Sequence, residues 1–158
     1  MPPEWNNNAD CRPRSLLIAG GRQPPIRLSL KERMTQMKRR YLVEFGTGAD
    51  LHGGDVTKAA QKALKDAISH CCMCGLAELF GDNKGAPPAV TLKVKLAAPW
   101  PDRIDVSKAL TVLPGGGSNA EVEVVTGGLH VTGLHVDALG EGDQIVLVNA
   151  AITVCIEV

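Results

Sequence analysis

The sequence predicts an α+β domain: a mainly antiparallel sheet covered on one face by a principal helix, assembled as an oligomer. Three observations lead there. Apolar residues recur at helical spacing through one stretch, Val56 to Ile68. Several other short stretches alternate apolar and polar residues with a period of two, as half-buried strands do. Aromatic residues make up only 3% of the chain, so Val, Leu, Ile and Ala must build the core, which favours close packing of helix on sheet. One helix covers one face of a sheet, and the uncovered face then calls for a second copy of the chain.

The elements follow in order. Arg40 to Phe45 reads as the first strand, with Leu42 and Glu44 facing one way and Tyr41, Val43 and Phe45 the other. A glycine-rich loop, GTGADLHGGD (Gly46 to Asp55), comes next. Asp55 is a good N-cap for the helix, where Val56, Ala60, Ala63, Leu64, Ala67 and Ile68 share a face. Lys58, Lys62, Lys65 and Asp66 fall on or near the opposite, solvated face. His70 lies in the last turn, and Gly75 marks the stop. Gly81 to Pro88 reads as a loop. Val90, Leu92, Val94 and Leu96 alternate with Thr91, Lys93 and Lys95 as a strand that Pro99 and Pro101 terminate. Asp105 caps a short helix to Leu110, and Pro114 to Ser118 is a second flexible loop. Val122 and Val124 alternate with Glu121 and Glu123, and Gly127-Gly128 turns that strand toward Leu129 to Val131. In the last segment Val146, Val148, Ala150, Ile152, Val154 and Ile156 form one face of a long central strand. Its fourteen or so residues exceed the usual five or six, which predicts a bend near Asn149.

Residues 40–158 thus form one domain, long enough to bury its own core. Residues 1–39 differ. Pro2, Pro3, Pro13, Pro24 and Pro25, the run Asn6 to Asn8 and scattered arginines give no lasting period. They read as a disordered or cleaved basic extension, or as an over-extended start with Met34 or Met37 as the effective first residue. Residues 1–40 carry nine Lys/Arg against three Asp/Glu, and residues 41–158 carry eight against fourteen. The domain is therefore acidic, which with its few aromatics argues against nucleic-acid binding. The apolar run Ile145 to Ile156 is too short to cross a bilayer, so no membrane role is expected. Five cysteines (Cys11, Cys71, Cys72, Cys74 and Cys155) are an odd number with three crowded together. They read as free thiols in a reducing compartment, hence the cytoplasm, or an organelle if the Arg-rich stretch Arg12 to Arg33 is a transit peptide.

The glycine loop is where function is expected. Four glycines within nine residues, interleaved with an acid and a histidine, imply a backbone bent to present polar groups. The pattern G-x-G-x-D-x-H-G, met by Gly46, Gly48, Asp50, His52 and Gly53, resembles the hallmark of a small family of conserved uncharacterised proteins. That family is found in bacteria and, with longer N-terminal extensions, in plants. Asp55 to His70, Val122 to Leu129 and Val148 to Ala151 resemble the same family, so the likeness spans roughly residues 38–158 and brings no activity with it. Asp50 and His52 also resemble, more faintly, the metal-binding Asp-x-His of the cyclodiphosphate synthase of isoprenoid biosynthesis, a trimeric α+β fold. That family's second histidine motif is missing here.

Three chemistries fit the loop. Asp50 and His52, two apart in an extended stretch, point to one side and could ligate a divalent metal such as zinc. His130, His135 or Glu44 would complete the site, because the helix sets His70 roughly 20 Å away within one chain. Alternatively, the loop and the helix N-terminus form an anion site with Lys58 as its cation, opposed by Asp50 and Asp55. Third, Asp50 and His52 transfer protons without a metal. The composite expectation is a small-molecule enzyme of lyase or hydrolase type. Asp50 and His52 would be its catalytic or metal-binding residues, with Gly46, Gly48, Gly53, Gly54 and Lys58 lining the ligand site at or near a subunit interface. The alternative is a non-catalytic ligand-binding or oligomeric scaffold protein. The thiols of Cys71, Cys72 and Cys74 could bind a soft metal or carry redox chemistry, though buried or semi-buried free thiols are the simpler reading.

Overall fold

The computed structural model describes residues 38–76, 89–139 and 142–157. Five strands make one sheet: β1 (Lys38–Asp50), β2 (Val90–Ala98), β3 (Ala120–Thr126), β4 (Leu129–Thr132) and β5 (Gln144–Glu157). The spatial order is β1-β5-β2-β3, with β4 also paired to β5. All pairings are antiparallel except β2 with β3. Helix α1 (Val56–Ser69) covers one face, and the short α2 (Val106–Leu110) packs beside it. This is the mainly antiparallel sheet with one principal helix that the periodicities predict. The basic extension, apart from Lys38 and Arg39 at the start of β1, and the loop at 81–88 lie outside the described residues. Among the described residues no helix is long and apolar enough to cross a membrane.

β5 is the spine of the sheet because its even residues from Val146 to Ile156 are all apolar. Val146, Val148, Ala150, Ile152, Val154 and Ile156 are all buried under the helix layer. Its register with β1 runs unbroken through Thr47↔Asn149. What changes at Asn149 is the neighbour on the other edge. β2 pairs as far as Ala97↔Asn149, and β4 takes over at Leu129↔Leu147. The prolines that end β2 vacate that edge, and the Gly127-Gly128 turn carries the chain from β3 to fill it.

Helix α1 buries Val56, Ala60, Ala63, Leu64 and Ala67 as its spacing predicts, and adds Thr57 and Ala59. Four alanines with no exposed surface give it a smooth face that can lie very close to the sheet. It ends at Ser69 with His70 as C-cap, well before Gly75. Asp105 caps α2 by accepting from the Lys108 amide.

The opposite face of the sheet has no covering element among the described residues. Phe45 is 72% exposed, and Val43, Leu129 and Val131 are exposed with it. Leu129 and Val131 lie beside the half-buried Leu147 and Ile145 of β5, whereas Phe45 and Val43 lie beside Ala151 and Thr153, with Thr47 and Asn149 between the two groups. On β2 and β3 the same face changes character, with Lys93 3.8 Å from Glu121 and Lys95 3.2 Å from Glu123.

Candidate functional site

The motif begins as strand, not as loop. Gly46 to Asp50 are β1 residues, paired with Ala150 to Val146 of β5. Glycine weakens a strand unless another backbone must come close, and here one does. A Cβ on Gly46 would lie 2.3 Å from the Ala63 carbonyl oxygen and the Ala67 nitrogen. One on Gly48 would lie 2.2 Å from the Ala59 oxygen and 2.3 Å from the Ala63 nitrogen. The G-x-G pair is thus where α1 rests directly on β1. Because β1 is an edge strand, its outward backbone groups need partners, and the helix supplies them. The Thr47 amide donates to Asp66 Oδ2 at 2.8 Å, and Lys62 Nζ donates to the Ala49 carbonyl at 2.6 Å. Lys62 is exposed and Asp66 half-buried, near the solvated side as expected, and both also hold the helix to the strand.

The true loop is Leu51 to Asp55. Asp50, only 7% exposed, accepts from the Asp55 amide at 3.0 Å and so ties the loop's two ends together. Gly53 (φ 88°) and Gly54 (φ 66°) take left-handed conformations that a side chain would strain. Gly54 sits against Gln144, and Gly53 against Gly142 at the start of β5. Asp55 Oδ1 accepts from the Thr57 and Lys58 amides at 2.9 and 3.0 Å, and Lys58 Nζ stands 3.7 Å from Asp55 Oδ2. The helix N-terminus and its nearby cation are therefore occupied with the chain's own carboxylate. His52 and Leu51 are exposed.

The residues expected to complete a metal site are dispersed. Glu44 lies six residues along β1 from Asp50, roughly 20 Å at strand spacing, beside Cys71 in an apolar cavity of about 50 Å³. His130 flanks Val146 on the side opposite Asp50, about 10 Å across two strand spacings. Its ring packs against Trp100 at a 45° tilt with centroids 5.0 Å apart, and Arg103 lies 4.9 Å over the same indole. His135 comes nearest the loop through Gly142, whose carbonyl it approaches at 3.4 Å, and its other nitrogen bonds Asp137 at 2.8 Å. Among the described residues no three His, Cys, Asp or Glu side chains converge on a metal position. Zinc in a catalytic site uses three protein ligands. The described residues of one chain do not bring three such ligands together.

Sequence reasoning assigned Lys62 and Asp66 no role beyond a solvated face and did not single out Gly142 and Gln144, because all four act through tertiary contact. Asp50→Ala is expected to cost about 1.5–3 kcal/mol, the usual range for a hydrogen bond to a charged group. Asp50→Asn, which keeps an acceptor oxygen, should lose clearly less. Urea unfolding of both variants checks this, and equal losses would contradict the clamp.

This geometry belongs to a known type of chain. The model of the conserved hypothetical protein family Lin0512_fam matches residues 40–154. The chain belongs to this family. Among solved structures, Lin0512_fam's member here is similar to an FtsZ-like protein of unknown function from Nostoc punctiforme PCC 73102. The two share 31% identity at a TM-score of 0.65, over 78% of this chain and 99% of that one. No curated protein matches the chain significantly.

Proposed function

We propose that the chain is a self-assembling protein whose open sheet face is covered by a second copy, with the Leu51–Gly54 loop forming a small-molecule site at the seam. The observation that carries this reading is the set of exposed apolar side chains on the open face, Leu129 and Val131 beside Leu147 and Ile145, and Phe45 and Val43 beside Ala151 and Thr153. Large exposed apolar side chains gathered on one face of a domain mark interaction sites. The neighbouring Lys93–Glu121 and Lys95–Glu123 pairs give the patch a rim carrying both signs of charge, which suits a second copy of the same surface. Leu51 in the loop is a further exposed apolar side chain, at 55% exposure. His52 projects from a backbone that Asp50, Gly53 and Gly54 fix in place, so a partner chain would meet a preset histidine.

A catalytic reading, a lyase- or hydrolase-type step with Asp50 and His52 moving protons, is favoured by that exposed histidine two residues from a fixed carboxylate. It requires the second copy to bring further polar groups to the seam, as would any divalent metal.

A metabolite thermal-shift screen tests the site. A ligand present at about a hundredfold its dissociation constant stabilises its protein by about 2.7 kcal/mol. The expected result is a compound that raises the melting temperature of the wild type but not of His52→Ala or Phe45→Asp. A shift that survives Phe45→Asp would place the site within one chain. A shift that survives His52→Ala would remove the loop histidine from it.

A further inference from the structure

Beyond the end of α1, the segment Cys71-Cys72-Met73-Cys74 holds three thiols in different settings. Cys72 and Cys74 are exposed and their sulfurs lie 3.2 Å apart. Cys71 is half-buried and lines the apolar cavity with Glu44 and Met73. We propose that Cys72 and Cys74 form a thiol–disulfide exchange site that takes low-molecular-weight disulfides and closes to an intramolecular disulfide.

The environment divides the roles. The Cys74 backbone amide, followed by its thiol, hydrogen-bonds Cys72 and holds that thiol below the ordinary range. The same thiol contact and the charge on Cys72 push Cys74 upward. Burial, then the Glu44 carboxylate, pushes Cys71 up. The thiolate is the nucleophile, so Cys72 attacks first. Its sulfur bonds to one sulfur of the incoming disulfide, whose S–S bond breaks, and the departing thiolate takes the electron pair and a solvent proton. Cys74 then releases its proton to solvent and attacks the Cys72 sulfur, expelling the second thiolate. Two protein thiols are oxidised and one small disulfide is reduced to two thiols. Both residues are exposed and their sulfurs are already in contact, so the second step joins neighbouring atoms.

Incubation of the reduced full chain with oxidised glutathione, acid quench, alkylation and fragmentation mass spectrometry test this. The expected product has lost both alkylatable thiols at Cys72 and Cys74, is two hydrogens lighter, and carries no glutathione. Cys74→Ser should stop at a stable glutathione adduct on Cys72, and Cys72→Ser should react far more slowly. As pH is lowered, Cys72 should stay alkylatable in a range where Cys74 no longer is. Closure between Cys71 and Cys74, persistence of both thiols, or faster reaction of Cys72→Ser than of Cys74→Ser would overturn the proposal.

Discussion

Gly48→Ala is expected to destabilise the domain by about 3 kcal/mol or more, the upper end of the cost of overpacking. The added methyl would meet the Ala59 oxygen and Ala63 nitrogen, both backbone atoms of α1, so no side-chain rotation relieves it. The helix must lift from β1. Lifting would stretch the Lys62–Ala49 and Asp66–Thr47 hydrogen bonds that satisfy the edge of that strand. With a total stability of about 5–15 kcal/mol for an ordinary domain, adding Gly46→Ala, at a similar cost, should remove about 6 kcal/mol, a large share of that total. Thr47→Ala, between the two glycines but facing the open side, is the control, and surface changes of that sort stay within about 0.5 kcal/mol. Urea unfolding of the three variants checks the order. A Gly48→Ala domain as stable as the control would mean that the glycines serve something other than close approach of the helix.

Phe45→Asp is the second large effect, and it falls on assembly. Phe45 lies at 72% exposure on the open face, opposite Ala151, so a single chain loses little when it is replaced. Its strand preference is worth about 1 kcal/mol at most. At the centre of an interface, by contrast, losing an aromatic anchor costs about 2–4 kcal/mol. Burying an unpaired carboxylate adds to that. Every 1.4 kcal/mol is about tenfold in affinity, so the dissociation constant should rise by at least about a hundredfold while the unfolding transition barely moves. Glu121→Gln, on the charged rim, should weaken assembly by far less.

The fold was largely legible because burial imposes periodicity. The even face of β5, the apolar spacing of α1 and the alternation along β2 and β3 each specify an element without knowledge of its neighbours. The motif was harder to place. Glycine density ordinarily signals a turn, yet Gly46 and Gly48 sit in a strand, and the reason, a helix backbone at contact distance, is a tertiary fact. Lys62 and Asp66 look like a solvated face on a helical wheel, because nothing in the sequence tells which edge of β1 is open. The passage of the chain from β3 beside β2 to β4 beside β5 is likewise hidden, since alternation reports burial and not the identity of a pairing partner. His130 gave no sign of its contact with Trp100, which comes from thirty residues upstream.

The mass of the wild-type protein in solution tests the central claim most directly. One chain weighs 16.7 kDa. Light scattering coupled to gel filtration should give a dimer or a higher multiple of that mass for the wild type and the single-chain mass for Phe45→Asp. A wild type that runs at 16.7 kDa at every concentration, with Phe45→Asp indistinguishable from it, would contradict assembly through the open face.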